Sequence, residues 1–344
     1  MSSKDIHQEI ERIRKKMGRD MVILGHHYQS DQIVRHTDIQ GDSLELARKI
    51  TALEARYIVF CGVHFMAETA AVLAGSEQSV FLPDHGASCV MADTAPGELV
   101  QRILTRLNAQ GKKIIPVAYV NSGLDIKELC GEFGGSVCTS ANAAKMLAWA
   151  LEEGDGVLFL PDRHLGINTA NDLGIPEKER QILDIRSAGG NIDFSAAAAK
   201  KMLFWPGVCA VHHRLKPKYL HRVRVNDPEA KIIVHPECSP EVVEIADSKG
   251  STSTIINYVQ QAPAGSTIYV GTEDNLVRRL AADFAPNKAI RPLFPTYCSN
   301  MAKITPEKLL DTLQDLDPIN RVEVDPNMAL QARKALETML KVCF

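Results

Sequence analysis

The sequence predicts an α/β protein made of three similar α-β-α units with short parallel sheets. Three observations carry that expectation. Apolar runs rich in Val and Ile are continuous instead of alternating, and helical patterns separate them, as in parallel strands covered on both faces. The pattern restarts near residues 21, 114 and 232. Each restart leads through the same series of a polar pair, a hydroxyl near a helix start, and a cysteine after an apolar-Pro step.

The elements follow in order. A short N-terminal helix has an exposed face of mixed sign at Glu11-Arg12-Ile13-Arg14-Lys15-Lys16. Strands are expected at Met21–Leu24, Tyr57–Cys61 and Val80–Leu82, with helices at Ser43–Thr51 and Ala67–Leu73. The second unit has strands at Ile114–Tyr119, Ser136–Cys138, Val157–Leu160 and Met202–Phe204, and helices at Pro96–Leu107 and Ala141–Leu151. The third has strands at Ile232–Val234, Thr267–Val270 and Ile290–Phe294, and helices at Pro240–Ile245, Thr252–Gln260 and Asn275–Asp283. Pro306–Leu313 and Pro326–Leu340 read as C-terminal helices packing back on the first unit. The expected segments are 1–95, 96–215, 216–300 and 301–344, with a surface insertion at about 166–204 in the middle unit.

The repeated series is specific in its spacing. His26 and Tyr28 precede Ser43 and Cys89; Tyr119 and Asn121 precede Ser140 and Cys209; His235 and Glu237 precede Thr252 and Cys298. The steps Tyr28 to Ser43, Asn121 to Ser140 and Glu237 to Thr252 are 15, 19 and 15 residues. The steps from hydroxyl to cysteine are 46, 69 and 46 residues, so only the middle unit is long. Each cysteine follows a like step: Phe81-Leu82-Pro83, Phe204-Trp205-Pro206 and Leu293-Phe294-Pro295. Three such units can converge on one site with a three-cysteine metal centre.

Composition excludes several classes. A chain of 344 residues with 45% hydrophobic and 24% charged residues is an ordinary globular composition. The formal net charge of −3 gives no basic field for nucleic acid. No apolar run approaches the ~20 residues that span a bilayer. Met1-Ser2-Ser3-Lys4-Asp5 lacks the apolar core of a signal peptide, so the cytoplasm is expected. Eight scattered cysteines without a secretory signal favour metal or catalytic roles over a disulfide framework. No C-x-x-C pair occurs, and neither G-x-G-x-x-G nor a P-loop is present.

Each candidate also has a plainer reading. A single buried Cys is more often a small apolar core residue than a ligand. Three thiolates with an open fourth position suit zinc or a 4Fe–4S cluster with one iron open to substrate. His235 and Glu237 lie two apart on an extended segment and point to one side, as an acid/base pair or as metal ligands. They could equally be a satisfied His and a surface Glu. Gly250-Ser251-Thr252-Ser253 before a helix is either an anion cradle using Ser251 and Thr252 or an N-cap with spare hydroxyls. His212 and His213 follow Cys209 closely and could line a metal pocket.

Taken together, these segments resemble the quinolinate synthase family. The resemblance rests on Gly25-His26-His27-Tyr28-Gln29, Gly41-Asp42-Ser43-Leu44-Glu45, Gly62-Val63-His64-Phe65-Met66-Ala67-Glu68-Thr69 and Tyr119-Val120-Asn121-Ser122. Thr139-Ser140-Ala141-Asn142, Leu160-Pro161-Asp162-Arg163-His164-Leu165-Gly166, Trp205-Pro206-Gly207-Val208-Cys209, His235-Pro236-Glu237-Cys238 and Gly250-Ser251-Thr252-Ser253 complete it, from about residue 20 to 300.

The resemblance implies three domains about a pseudo-threefold axis with a central active site. It implies a 4Fe–4S cluster held by Cys89, Cys209 and Cys298. It also implies condensation of iminoaspartate with dihydroxyacetone phosphate to quinolinate, with loss of phosphate and two waters, in de novo NAD biosynthesis. Site residues carry over to His26, Tyr28, Ser43, Tyr119, Asn121, Ser140, His235, Glu237 and Thr252, and an aspartate oxidase is a possible functional partner. Some members carry C-x-x-C-x-x-C near the last ligand. Here Tyr297-Cys298-Ser299-Asn300-Met301 stands there, so that disulfide cannot form. A zinc-dependent aldolase or lyase and a non-catalytic iron–sulfur sensor remain the alternative readings.

Overall fold

The computed structural model describes residues 2–316 and 318–343; Met1, Asp317 and Phe344, which fall inside the expected segments, lie outside it. Its strands form three parallel sheets of four, five and four strands, separated by helices, so the α/β class and the three sheets stand as expected. The chain divides into two compact units, Met1–Cys89 with Thr252–Val324, and Val90–Ser251 with Asp325–Phe344.

The first unit opens with β1 (Met21–His26), β2 (Ile39–Gly41), β3 (Tyr57–Cys61) and β4 (Ser79–Phe81), in the order β2-β1-β3-β4. Every residue of β1 is buried, which explains its unbroken apolar run. Helix Ser3–Met17 buries Ile6, Ile10 and Ile13 and packs against Pro306–Gln314.

The second unit holds β5 (Ile114–Tyr119), β6 (Ser136–Cys138), β7 (Gly156–Leu160), β8 (Arg180–Ile182) and β9 (Met202–Phe204), in the order β6-β5-β7-β9-β8. It also holds β10 (Lys231–Val234) and β11 (Ser248–Lys249), which run parallel. The first unit resumes with the parallel pair β12 (Thr267–Gly271) and β13 (Ala289–Pro292).

Two expectations change. The segment 166–204 is not confined to the surface. Helix Arg163–Asp172 buries Gly166, Asn168, Thr169 and Ala170 of this segment, and β8 adds an edge strand beside β9. Its Gly, Asn and Asp content conceals polar side chains that are buried because they are hydrogen-bonded. The last helix, Pro326–Cys343, packs within the second unit against Leu124–Glu132 and β6, not on the first. Gly131 permits this approach, since a Cβ there would lie 2.0 Å from the Gln331 carbonyl oxygen.

Candidate active site

In the second unit, β10 ends in the turn His235-Pro236-Glu237-Cys238, closed by the Cys238 N–H on the His235 carbonyl at 3.0 Å. Asn168 clamps the turn with its amide NH2, donating to the Pro236 and Cys238 carbonyls at 2.8 and 2.9 Å. His235 and Glu237 are both buried. The short helix Ala210–His213 brings His212 to them: its Nδ1 lies 2.7 Å from Glu237 Oε2, and its ring stacks on His235 at 4.5 Å. His235 Nδ1 lies 3.3 Å from the same oxygen.

Burial alone would raise the Glu237 carboxyl, but His212 and His235 outweigh it and hold the group below the usual carboxylate range. Glu237 Oε1 is buried with no partner among the described residues, so one oxygen of this carboxylate is left unsatisfied. Cys209, His212 and Glu237 each present a ligand atom within 4.8 Å of the others, a sulfur, nitrogen and oxygen set able to hold a metal. Asp162 is fully buried beside them, and burial followed by the Glu237 charge raises its carboxyl well above the ordinary range. Burial also lowers His164 to about 4.

Tyr119 closes β5, and Asn121 follows it with a buried Oδ1 that has no partner among the described residues. The fully buried Lys127 donates from Nζ to the Ser122 carbonyl at 2.7 Å and fixes that loop. Ser140 sits beyond β6 in a turn held by Asn142 Oδ1, which accepts from the Thr139 N–H at 2.7 Å. The turn is closed by Asn142 and Thr139, and no side chain caps the helix that follows at Ala143.

In the first unit, His26 ends β1 and its Nδ1 accepts the Tyr28 N–H at 3.1 Å. The same turn recurs at His235, whose Nδ1 is 3.3 Å from the Glu237 N–H. Accepting at Nδ1 puts the proton of neutral His26 on Nε2. The Tyr28 hydroxyl lies 2.7 Å from Thr272 Oγ1, and Thr252 Oγ1 donates to it at 3.4 Å. Ser43 begins its helix, but Asp42 and Glu45 supply a reciprocal cap, the Asp42 N–H on Glu45 at 3.1 Å and the Glu45 N–H on Asp42 at 3.0 Å. The hydrogen bond from His27, more than any other neighbour, holds the Glu45 carboxyl down at about 2.

The three repeated cysteines occupy equivalent backbone positions. The helix after the third strand of each repeat begins with His64, Arg163 or Asp274. Their N–H groups donate to Ala87, Gly207 and Thr296 at 2.8, 2.9 and 2.9 Å, in each case the carbonyl two residues before the cysteine. Cys89, Cys209 and Cys298 are all half-buried, and no disulfide joins any of the eight cysteines. Burial pushes the Cys61 and Cys130 thiols up to about 12 and raises Cys138 and Cys238 well above the ordinary value, so those four stay protonated and are poor ligands.

Comparison with known proteins decides the family. The model of the family described as Quinolinate synthetase A protein matches residues 8–341. The chain belongs to that family. It is 43% identical to the quinolinate synthase of Acidobacterium capsulatum, over 97% of this chain and 92% of that one. It is 44% identical to that of Corynebacterium glutamicum, over 99% and 88%, and 43% identical to that of Bacillus cereus, over 99% and 94%. Against the family assignment, the second unit places His235 and Glu237 beside Cys209, and the first joins Tyr28 to Thr252. Sequence reasoning gave no role to Thr272, Glu273 or Asn168, held Asp162 only within a motif, and placed His212 in the lining of a metal pocket without joining it to Glu237. The only signal for His212 was its closeness to Cys209.

Proposed function

We propose that this enzyme of the quinolinate synthase family condenses iminoaspartate with dihydroxyacetone phosphate to quinolinate, releasing phosphate and two waters. The observation that supports the reading best is the buried Glu237–His212–His235 cluster beside Cys209. A sensor has no use for an acid/base set of this kind.

Cys89, Cys209 and Cys298 would hold a 4Fe–4S cluster. Their equivalent positions, half-burial and lack of disulfides fit three thiolate ligands. When bound, such a cluster with one open iron supplies Lewis-acid polarisation of a leaving hydroxyl.

The chain's own residues do the rest. Glu237, with Oε2 on His212 and Oε1 unpartnered, takes a proton from the carbon next to the imine and returns one during tautomerisation and dehydration. His235 Nδ1 accepts the Glu237 N–H, so its Nε2 carries the exchangeable proton and serves as acid/base group beside that carboxylate. Tyr28, hydrogen-bonded to Thr272, and Tyr119 carry protons for the other dehydration. Asn121, with its unpartnered Oδ1, accepts from a substrate N–H or O–H. His26, Ser43, Ser140, Ser251 and Thr252 bind the carboxylates and the phosphate; Ser43 and Thr252 add the N–H groups of their helix starts.

The repeat limits near 95, 215 and 300, a cytoplasmic setting and supply of unstable iminoaspartate by an aspartate oxidase belong to the same reading. No helix among the described residues is long and apolar enough to cross a membrane.

The test is anaerobic. The purified protein is analysed for iron and sulfide, then given dihydroxyacetone phosphate and freshly generated iminoaspartate. Quinolinate formed with about four irons per chain is the expected result. The Cys209, His212 and Glu237 set also fits a single zinc, as in a zinc-dependent lyase. Zinc without iron or sulfide would favour that second reading.

A further inference from the structure

Two buried carboxyl groups stand at the same place in two repeats, and neither belongs to the acid/base set. Asp162 directly precedes helix Arg163–Asp172, and Glu273 directly precedes helix Asp274–Phe284. Both are fully buried. Each caps its own helix: Asp162 Oδ1 accepts the Leu165 N–H at 2.8 Å, and Glu273 Oε2 accepts the Asn275 N–H at 2.8 Å. Each also receives the backbone N–H of the repeated cysteine. Asp162 Oδ2 accepts from Cys209 at 3.0 Å, and the Glu273 carboxylate accepts from Cys298. In the first repeat the equivalent position is Val63, whose side chain accepts nothing.

We propose that Asp162 and Glu273 are positioning residues that lock the Cys209 and Cys298 loops to the helix starts and set the direction of the two thiolates. This rests on the reading of Cys209 and Cys298 as ligands. At Asp162 the two N–H donors, at different sequence positions, are accepted by two different oxygens, and at Glu273 the carboxyl oxygens are shared among the Asn275 N–H, the Asn275 side-chain amide and the Cys298 N–H. An amide of the same shape has one acceptor oxygen, so Asn or Gln can satisfy the helix cap or the cysteine, not both. Backbone amides and helix ends would suffice to hold an ordinary surface loop; two separate carboxyls buried for the purpose indicate a loop whose orientation matters.

The experiment uses Asp162→Asn and Glu273→Gln in the anaerobically loaded full chain. Asp193→Asn is the control, because Asp193 caps Ala196 at 3.0 Å in the second unit and touches no cysteine. Iron release to a chelator is timed, and visible circular dichroism of the bound centre reads the cysteine torsions. The metal-free forms are checked by thermal unfolding. The expected result is iron release roughly tenfold faster in both variants, the scale of one buried N–H left unsatisfied, with an altered visible dichroism. The control keeps the parent's rate and spectrum. Release within about twofold of the parent with an unchanged spectrum in Glu273→Gln overturns the proposal, and Glu273→Gln alone decides if Asp162→Asn does not fold. Failure of the underlying reading shows separately, as Cys209→Ala and Cys298→Ala variants that keep full iron content.

Discussion

His212 Nδ1 lies 2.7 Å from Glu237 Oε2, with both side chains out of contact with solvent. A buried carboxylate held by one imidazole, whose ring in turn stacks on a second, has a fixed position and a proton source within reach. It sits beside Cys209, so a carboxylate, an imidazole and a thiol able to hold a metal share one cluster.

Glu237→Gln keeps the shape and removes the base. Turnover should fall by roughly 10²-fold or more, while iron content stays at the parent's level. Parallel iron analysis and quinolinate assays check this, and full turnover in the variant would sink the acid/base role.

Tyr28→Phe removes the hydroxyl between Thr272 and Thr252 and keeps the ring edge-on to His26 at 4.7 Å. Stability should change by only about 1 kcal/mol, the net worth of one hydrogen bond. Quinolinate formation should drop far more than that change explains. Denaturant titration beside steady-state kinetics separates the two, and equal small effects would remove Tyr28 from the proton path.

Gly207 lies where a Cβ would come within 2.5 Å of both the Pro161 carbonyl oxygen and Thr94 Oγ1. Gly207→Ala must push the Cys209 loop away from Asp162. The expected cost is about 1–3 kcal/mol of stability with poorer iron loading, read by denaturant unfolding and metal analysis. Parent-like values in both would mean that the loop yields freely.

His164 sets a pH dependence. It is buried, its Nδ1 lies 3.3 Å from the Glu237 carbonyl oxygen, and burial lowers its pKa to about 4. Between pH 6.5 and 4 the unfolded chain binds this proton and the folded one does not. Stability is therefore full above pH 6.5 and is lost as pH falls toward 4, by on the order of 3 kcal/mol from this group. Unfolding free energy measured across that window should fall less steeply in His164→Gln; an unchanged slope would remove His164 as the cause.

The strands with both faces covered were legible in the sequence. Tyr57–Cys61, Ile114–Tyr119, Ser136–Cys138 and Met202–Phe204 match their expected limits, because continuous burial writes a continuous apolar run. The edge strands Ile39–Gly41, Arg180–Ile182 and Ser248–Lys249 were not legible: two or three residues with polar side chains carry no period. That loss matters for the site, since Ser43 and Thr252 stand just beyond two of these strands. The polar pairs and the three cysteines could be read because they recur. Asp162 and Glu273 could not, since a helix cap is visible locally while its second oxygen reaches a cysteine far along the chain. Asn168 hid in the same way, in a polar stretch whose partners lie beyond residue 235.

The order in which the chain visits its two compact units bears on biogenesis. Residues 252–324 complete a unit begun by the first 89, and residues 325–344 complete the one left open at Ser251. On the ribosome neither unit can close before most of the polypeptide has emerged. Helix Leu124–Glu132 waits with its apolar face bare until Pro326–Cys343 arrives with Ala332, Ala335, Leu336 and Met339. Nascent chains of this protein are therefore expected to lean on chaperones late in translation, and premature termination in the last helix should yield an aggregating product instead of a trimmed enzyme.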